Sequence, residues 1–367
     1  MKRRVVISQP AMGRYRKGFI DEIINLNNNE FEIIVYASKV ANTGAKSMEN
    51  LPPEIDYNLV KHSSLFGRFF WQSLVYDILK LKLNRNDKFV FCGNPRYVSN
   101  MILGFWLKLI GVDVVWWGHG WSSTSSSLGS YIRFKLMSFF RVILYTENEA
   151  ELLRSKIKSP MCGLNNGLNV NEIRNGYKLN TCKYEENILQ VAFLGRITSK
   201  SHFDLLINAL LTMPCEKSKK VRLNVIGDVT EADIVNISSK AVRLNIELHG
   251  EVWDEKEITN ILGQCHVFVY PGAVGLSIIH AFALGLPAII HNEKVAHMPE
   301  VAVFEEDVSG ISFDMGSKES LATSLVWASD NKACLAVYAV NAFDKVTNTF
   351  NTYDMAKRFM SFLRKRE

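Results

Sequence analysis

Apolar and polar positions follow two rhythms along this chain. Short apolar runs at 4–8, 31–37, 55–60, 88–92, 112–117 and 142–145 read as buried strands. Between them, apolar residues recur at helical spacing over 18–26, 69–83, 97–110 and 128–140. The second half restarts the pattern. Strands are predicted at 189–194, 221–226, 246–248, 267–270, 288–290 and 311–313, with helices at 203–211, 231–239, 255–263, 276–284 and 318–328. Strands that alternate with helices make βαβ units and a parallel sheet. The polar stretch 169–187, rich in Asn, Lys and Glu, reads as a connector. The pattern therefore predicts an α/β chain of two Rossmann-like domains facing a cleft, over residues 1–170 and 188–350, with a linker at 171–187. In such sheets ligands sit beyond the carboxyl ends of the strands.

Composition narrows this picture. At about 150 residues per domain, 367 residues allow two or three domains. With 47% hydrophobic and 22% charged residues the chain is globular, not disordered. The six cysteines form no CxxC pair and no zinc-ligand spacing with histidine, so reduced thiols in a cytosolic protein are expected. The apolar run after Met1 stops at Gln9-Pro10, too short for a signal-peptide core. The most apolar stretch, 101–117, is interrupted by Lys108 and Asp113, so no membrane span is expected.

The charge is unevenly spread. Residues 1–180 hold 24 Lys+Arg against 14 Asp+Glu, and residues 181–367 hold 19 against 23. A basic first half points to an acidic partner. Nucleic acid is excluded because no recognition motif accompanies the charge. The segment 61–85 mixes Lys61, Arg68, Lys80, Lys82 and Arg85 with Phe66, Phe69, Phe70 and Trp71. That composition suits peripheral contact with a membrane surface, and equally an amphipathic core helix with a solvated basic face.

Three stretches carry candidate chemistry. In FLGRITSK, 193–200, a strand ends at Gly195, and Arg196 and Lys200 then place two cations at a helix start, where phosphate oxygens are favoured. In YPGAVGLSIIHAFALGLP, 270–287, a glycine-bearing loop opens a helix near Leu276, with Ser277 in its first turn and His280 close behind. Each could also be a plain packed turn. In WWGHGW, 116–121, His119 follows a strand and precedes Trp121 and the serines of 122–127. It reads as a site residue at a strand's carboxyl end or as a structural histidine in a Trp-rich core. Trp121 and the serines would suit a saccharide, or form a loop.

The ordered set FLGR-x3-K, VIGD, HGEV, YPGxxGLSxxHAxAxGxP and PE, spanning 191 to about 313, resembles family 4 glycosyltransferases of the GT-B fold. The NNGLN turn at 165–169, Tyr145-Thr-Glu and the tail NTYDMAKRF are similar to further family segments. The resemblance implies transfer of a sugar from a UDP- or GDP-linked donor to a glycan or lipid-linked saccharide. Retention at the anomeric carbon, no cofactor and no metal are implied too. The setting would be polysaccharide or lipopolysaccharide biosynthesis, in the cytoplasm or peripherally on the inner leaflet of its membrane. It implies that Arg196 and Lys200 bind the donor diphosphate and that the backbone at Gly275, Leu276 and Ser277 meets it. Val252 would hold the nucleobase, and Gly13 would be the flexible point of an N-terminal loop carrying Arg14 and Arg16. His119 would lie near the transferred sugar, and would be the first candidate for a base were the reaction inverting. Glu300 occupies the PE position. The helix at 351–367 would cross back onto the first domain. Where the family carries two glutamates eight positions apart, this chain has Gly272 and His280. Gly272 offers no side chain to the sugar, whereas His280 can still bond a ribose hydroxyl. His291, His297 and Glu293 are candidate replacements or surface-loop residues. A sugar-nucleotide epimerase and an inactive nucleotide-sugar-binding homologue are the competing readings.

Overall fold

A computed structural model describes residues 2–42, 44–120, 127–180, 182–185, 187–228 and 244–365. The predicted helix at 231–239, Trp121 and the serines before 127 lie outside the described residues. The chain divides into two units, one of residues 1–166 and 352–367, the other of residues 167–351.

Unit 1 holds β1 (Arg3–Gln9), β2 (Phe31–Ser38), β3 (Ile55–Val60), a hairpin of β4 (His62–Leu65) and β5 (Phe69–Gln72), then β6 (Lys88–Cys92), β7 (Asp113–Trp117), β8 (Arg141–Leu144) and β9 (Met161–Gly163). Seven of these strands form one sheet in the order β3-β2-β1-β6-β7-β8-β9, every pair parallel. Successive side chains point to opposite faces, so each strand feeds two cores. Val5, Ile7, Val35 and Trp117 pack with Phe19, Ile20 and Ile23 of the helix Lys17–Asn27. The same core takes Met355, Phe359 and Leu363 of the last helix, Thr352–Arg364. Val6, Phe89, Phe91 and Trp116 pack on the other face against Leu103 and Leu107 of the helix Val98–Leu109.

Unit 2 holds β10 (Leu189–Leu194), β11 (Val221–Ile226), β12 (Asn245–Gly250), β13 (Val267–Tyr270), β14 (Ala288–His291) and β15 (Gly310–Phe313). Their order is β12-β11-β10-β13-β14-β15, again all parallel. Both sheets thus reverse direction beside their first strand, which is the doubly wound arrangement with a switch point where ligands bind. In unit 2 that point lies between the ends of β10 and β13.

Two expectations fail, each for a physical reason. The stretch 69–83 is not one helix. Phe66 and Gly67 both take positive φ, +52° and +68°, making a tight turn, and 69–72 returns as β5. Phe70 and Gln72 alternate inward, and only Val75–Lys80 is helical. Nor is 171–187 a solvated linker. The helix Val170–Arg174 buries Ile173 in the second unit's core. Arg174 lies 3.4 Å over the Phe343 ring and donates to the Ala283 carbonyl at 3.0 Å. Tyr184 is buried and donates to the His266 carbonyl at 3.1 Å.

Candidate functional site

At the end of β10 the backbone is stripped to glycine. Gly195 holds φ +146°, and a Cβ on Gly227, at the end of β11, would sit 2.0 Å from the Gly195 carbonyl oxygen. Strand ends this close leave room for cations to lean outward. Arg196 and Lys200 are both exposed, and neither side chain has a partner among the described residues. The turn between them is braced, because the Thr198 N–H donates to Ser201 Oγ at 3.1 Å and Ser201 Oγ donates to the Thr198 carbonyl at 2.8 Å.

The glycine loop after β13 is fastened to that turn. The Ala273 N–H donates to the Lys200 carbonyl at 3.2 Å. A Cβ on Gly272 would meet the same oxygen at 2.0 Å. No side chain fits at Gly272, where the resemblance implies a glutamate, unless the Lys200 backbone shifts. Gly275 then caps the helix Leu276–Ala283 with no side-chain hydrogen bond; the Ile278 N–H donates to the Gly275 carbonyl, and the N–H groups of Leu276 and Ser277 have no side-chain cap. Leu276 and Ser277 are half-buried, and Val252 is half-buried against the same core. Arg196, Lys200 and the start of that helix are thus brought together at the switch point of one sheet. Cations beside open helix-start N–H groups favour an anion.

His280 behaves differently from the expected ribose contact. It is buried, and burial pushes its pKa down to about 4, so it is neutral at pH 7. Its Nε2 lies 3.3 Å from Oε2 of Glu255, the first residue of the helix Glu255–Leu262. Burial, then Glu172 and Asp254, raise the Glu255 carboxyl to about 7. The pair is a neutral imidazole facing an acid that still holds its proton near neutrality. Nothing in the spacing around 255 announces this contact.

The other histidines are not surface-loop residues. His291 and His297 are both buried, with rings stacked at 3.7 Å. His297 Nδ1 accepts the Val274 N–H at 3.1 Å, inside the glycine loop. Glu300 is also buried, and a Cβ on Gly275 would lie 3.9 Å from its Oε2. Glu293 is exposed.

In unit 1, His119 follows β7 and lies against Tyr145, with ring centroids 4.4 Å apart. Burial lowers its pKa to about 4, helped by Arg133 and Arg16. Arg133 donates to the His119 carbonyl at 3.3 Å. Arg16 is buried, bonds Asn166 at 2.6 Å, and lies over the rings of Trp117 and Tyr15. Gly13 sits before a short turn with φ −69°, an ordinary extended value. Its constraint is the Tyr15 ring, 2.8 Å from where a Cβ would stand. Arg14 is exposed.

Two parallel sheets of this order are the GT-B glycosyltransferase fold. A glycosyltransferase from Rickettsia africae ESF-5 superposes with a TM-score of 0.73 at 15% identity, over 100% of each chain. HepE from Anabaena, solved with UDP, gives 0.69 at 15% identity over 99% of each chain. WaaG, a glycosyltransferase involved in lipopolysaccharide biosynthesis, gives 0.67 at 12% identity over 99% of this chain and 100% of its own. Residues 189–331 match the family model described as glycosyl transferases group 1. The chain therefore has the fold of GT-B glycosyltransferases, and the match to the group 1 family model falls within unit 2. No curated protein matches it.

Proposed function

We propose that the protein moves a sugar from a UDP- or GDP-linked donor to a glycan or lipid-linked saccharide, with retention, in polysaccharide or lipopolysaccharide assembly. The carrying observation is the pair of exposed cations, Arg196 and Lys200, which make no hydrogen bond or ion pair among the described residues, on a turn fastened through the Lys200 carbonyl to the glycine loop. The UDP and UDP-glucose bound in HepE and the pathway of WaaG support this choice of chemistry.

In the proposed step the bond from the anomeric carbon to the donor phosphate breaks. The acceptor oxygen bonds that carbon on the same face, and its proton passes to the departing phosphate. Negative charge grows on the β-phosphate, where Arg196, Lys200 and the N–H groups at Gly275–Ser277 stabilise it. No metal is needed for that role. An imidazole with a pKa of about 4 is a poor base at neutral pH, which favours retention over an inverting route through His119. His119 contributes a neutral hydrogen-bonding ring instead. Incubation with a panel of UDP- and GDP-sugars tests the reading. Nucleotide release with glycan extension is expected, falling about 100-fold in Arg196→Ala and Lys200→Ala. Isomerised donor, or binding without turnover, rules it out.

Unit 1 serves the acceptor in this proposal, at an anionic membrane surface. Exposed Ile102, Trp106 and Leu109 share the helix Val98–Leu109 with Lys108. Leu128, Tyr131 and Ile132 are exposed on Ser127–Met137 with Lys135. Phe66 stands 97% exposed at the hairpin turn beside Arg68. Apolar side chains interleaved with cations suit the interface of an anionic bilayer. No helix among the described residues is long and apolar enough to cross one. Co-sedimentation with phosphatidylglycerol vesicles should drop about tenfold in Trp106→Ser plus Leu109→Ser. Unchanged binding sinks the membrane reading.

A further inference from the structure

The loop that carries the diphosphate contacts is held from two sides. On one side the Ala273 N–H reaches the Lys200 carbonyl. On the other, Val274 is gripped twice by adjacent residues. Its N–H donates to His297 Nδ1 at 3.1 Å, and its carbonyl accepts the Met298 N–H at 3.0 Å. Val274 is wholly buried, so this grip fixes the backbone immediately before the helix-capping Gly275.

The imidazole can do this in one form only. Nδ1 accepts a proton from the backbone, so it carries none of its own. Nε2 lies 2.9 Å from the His291 carbonyl, an acceptor, so Nε2 holds the proton. The ring is pinned face to face on His291 at 3.7 Å, 11° from parallel. His291 Nδ1 is buried with no hydrogen-bond partner, so that nitrogen has no acceptor ready for an added proton. We propose that His297 is a positioning residue that clasps the 272–275 loop in its phosphate-binding shape and releases it when a proton arrives at Nδ1. A proton there would face the Val274 N–H, and the bond would be lost.

The groups facing His297 act in both directions. Burial disfavours its charged form, Glu293 favours it, and the bond to the His291 carbonyl also favours it. Burial first, then His297 and His202, hold His291 low, at about 4. Lys200 reaches the same loop through its carbonyl, and Glu300 lies beside Gly275. Loss of the clasp is thus an acid-side event.

The inference rests on the donor-diphosphate reading, and the test separates the two. UDP and GDP are titrated calorimetrically into the full chain between pH 5 and 8, for wild type, His297→Gln and His297→Ala. The Gln amide can accept from Val274 N–H and donate to the His291 carbonyl, yet it does not titrate. His297→Gln should bind within about threefold of wild type at pH 7.5, whereas His297→Ala should bind roughly tenfold more weakly, the worth of one hydrogen bond. The nucleotide's own phosphate titrates near pH 6 and is common to all three proteins. The ratio of wild-type to His297→Gln affinity should therefore fall as pH drops, and donor KM should rise in His297→Ala with little change in kcat. If wild type binds neither nucleotide, the donor reading fails. If wild type binds but His297→Ala binds equally well, or the ratio stays flat with pH, the clasp is wrong.

Discussion

The two units share a strand order, yet they use cations differently at opposite ends of their sheets. In unit 1 the cations at the amino ends of the strands, and Arg16 just past β1, are already engaged. Arg4 pairs with Asp87 at 2.7 Å, Lys88 and Arg141 share Asp113, and Arg16 is enclosed by aromatic rings and Asn166. In unit 2 the two cations at the end of β10 are exposed and unpartnered among the described residues. Unit 1 holds 27 Lys+Arg against 15 Asp+Glu, and unit 2 holds 16 against 22. The sign of a unit's net charge therefore does not mark where its free cations lie, since unit 1 also leaves Arg14 and Arg96 exposed past the ends of β1 and β6. Net charge describes a surface and its attraction to partners, whereas a site needs charge that the fold has left unspent.

Glycines sharpen the contrast most strongly. Gly272 faces the backbone carbonyl of Lys200, which cannot move without unfastening the site. Gly13 faces the Tyr15 ring, whose side chain is about half exposed and free to swing. Gly272→Glu, which restores the usual family residue, should destabilise unit 2 by about 2 kcal/mol or more and weaken nucleotide binding. Gly13→Ala should cost under about 1 kcal/mol. Thermal melts and nucleotide titrations of both variants decide it. A Gly272→Glu protein that melts like wild type and turns over faster breaks the comparison.

Much of this was legible in the sequence, for identifiable reasons. Buried parallel strands are continuous apolar runs, so VVIS, FVFC, VAFLG and VFVY mark themselves, and a short strand–helix alternation leaves few topologies. The placement of Arg196 and Lys200 past the end of β10, and of the glycine loop before the helix Leu276–Ala283, was legible because its signals are local: a strand end, a glycine and a cation at fixed spacing. The hairpin was misread because the aromatic run 69–71 merges with the helical spacing of 74–83, and the spacing does not register a turn at Phe66-Gly67. The supposed linker was misread because its anchors, Ile173, Arg174 and Tyr184, are sparse in a polar stretch. The contacts of Glu255 with His280 and of His297 with Val274 were not legible because the partners lie more than 20 positions apart, and only the fold joins them.

Buried carboxyls give the smallest and most discriminating comparison. In unit 1, burial pushes the Asp87 carboxyl up, but hydrogen bonds from Arg4 and the Asn84 backbone outweigh it and hold the pKa below its ordinary value. Its charge therefore stabilises the fold above that value, and the benefit is lost as pH falls. In unit 2, Glu255 faces a neutral histidine, and its pKa stands near 7 against an ordinary 4.5. The folded chain keeps this proton while the unfolded chain gives it up, so stability falls as pH rises from about 4.5 to 7, then levels. Glu255→Gln removes that penalty. It should melt level with wild type at pH 5 and about 2 °C above it at pH 8, a small gain because 35% of the side chain already reaches water. Asp87→Asn should melt well below wild type at pH 8, by several degrees, because it leaves Arg4 without its carboxylate. If Glu255→Gln is less stable than wild type at pH 8, its carboxylate is favourably engaged. The two units would then treat their buried acids alike.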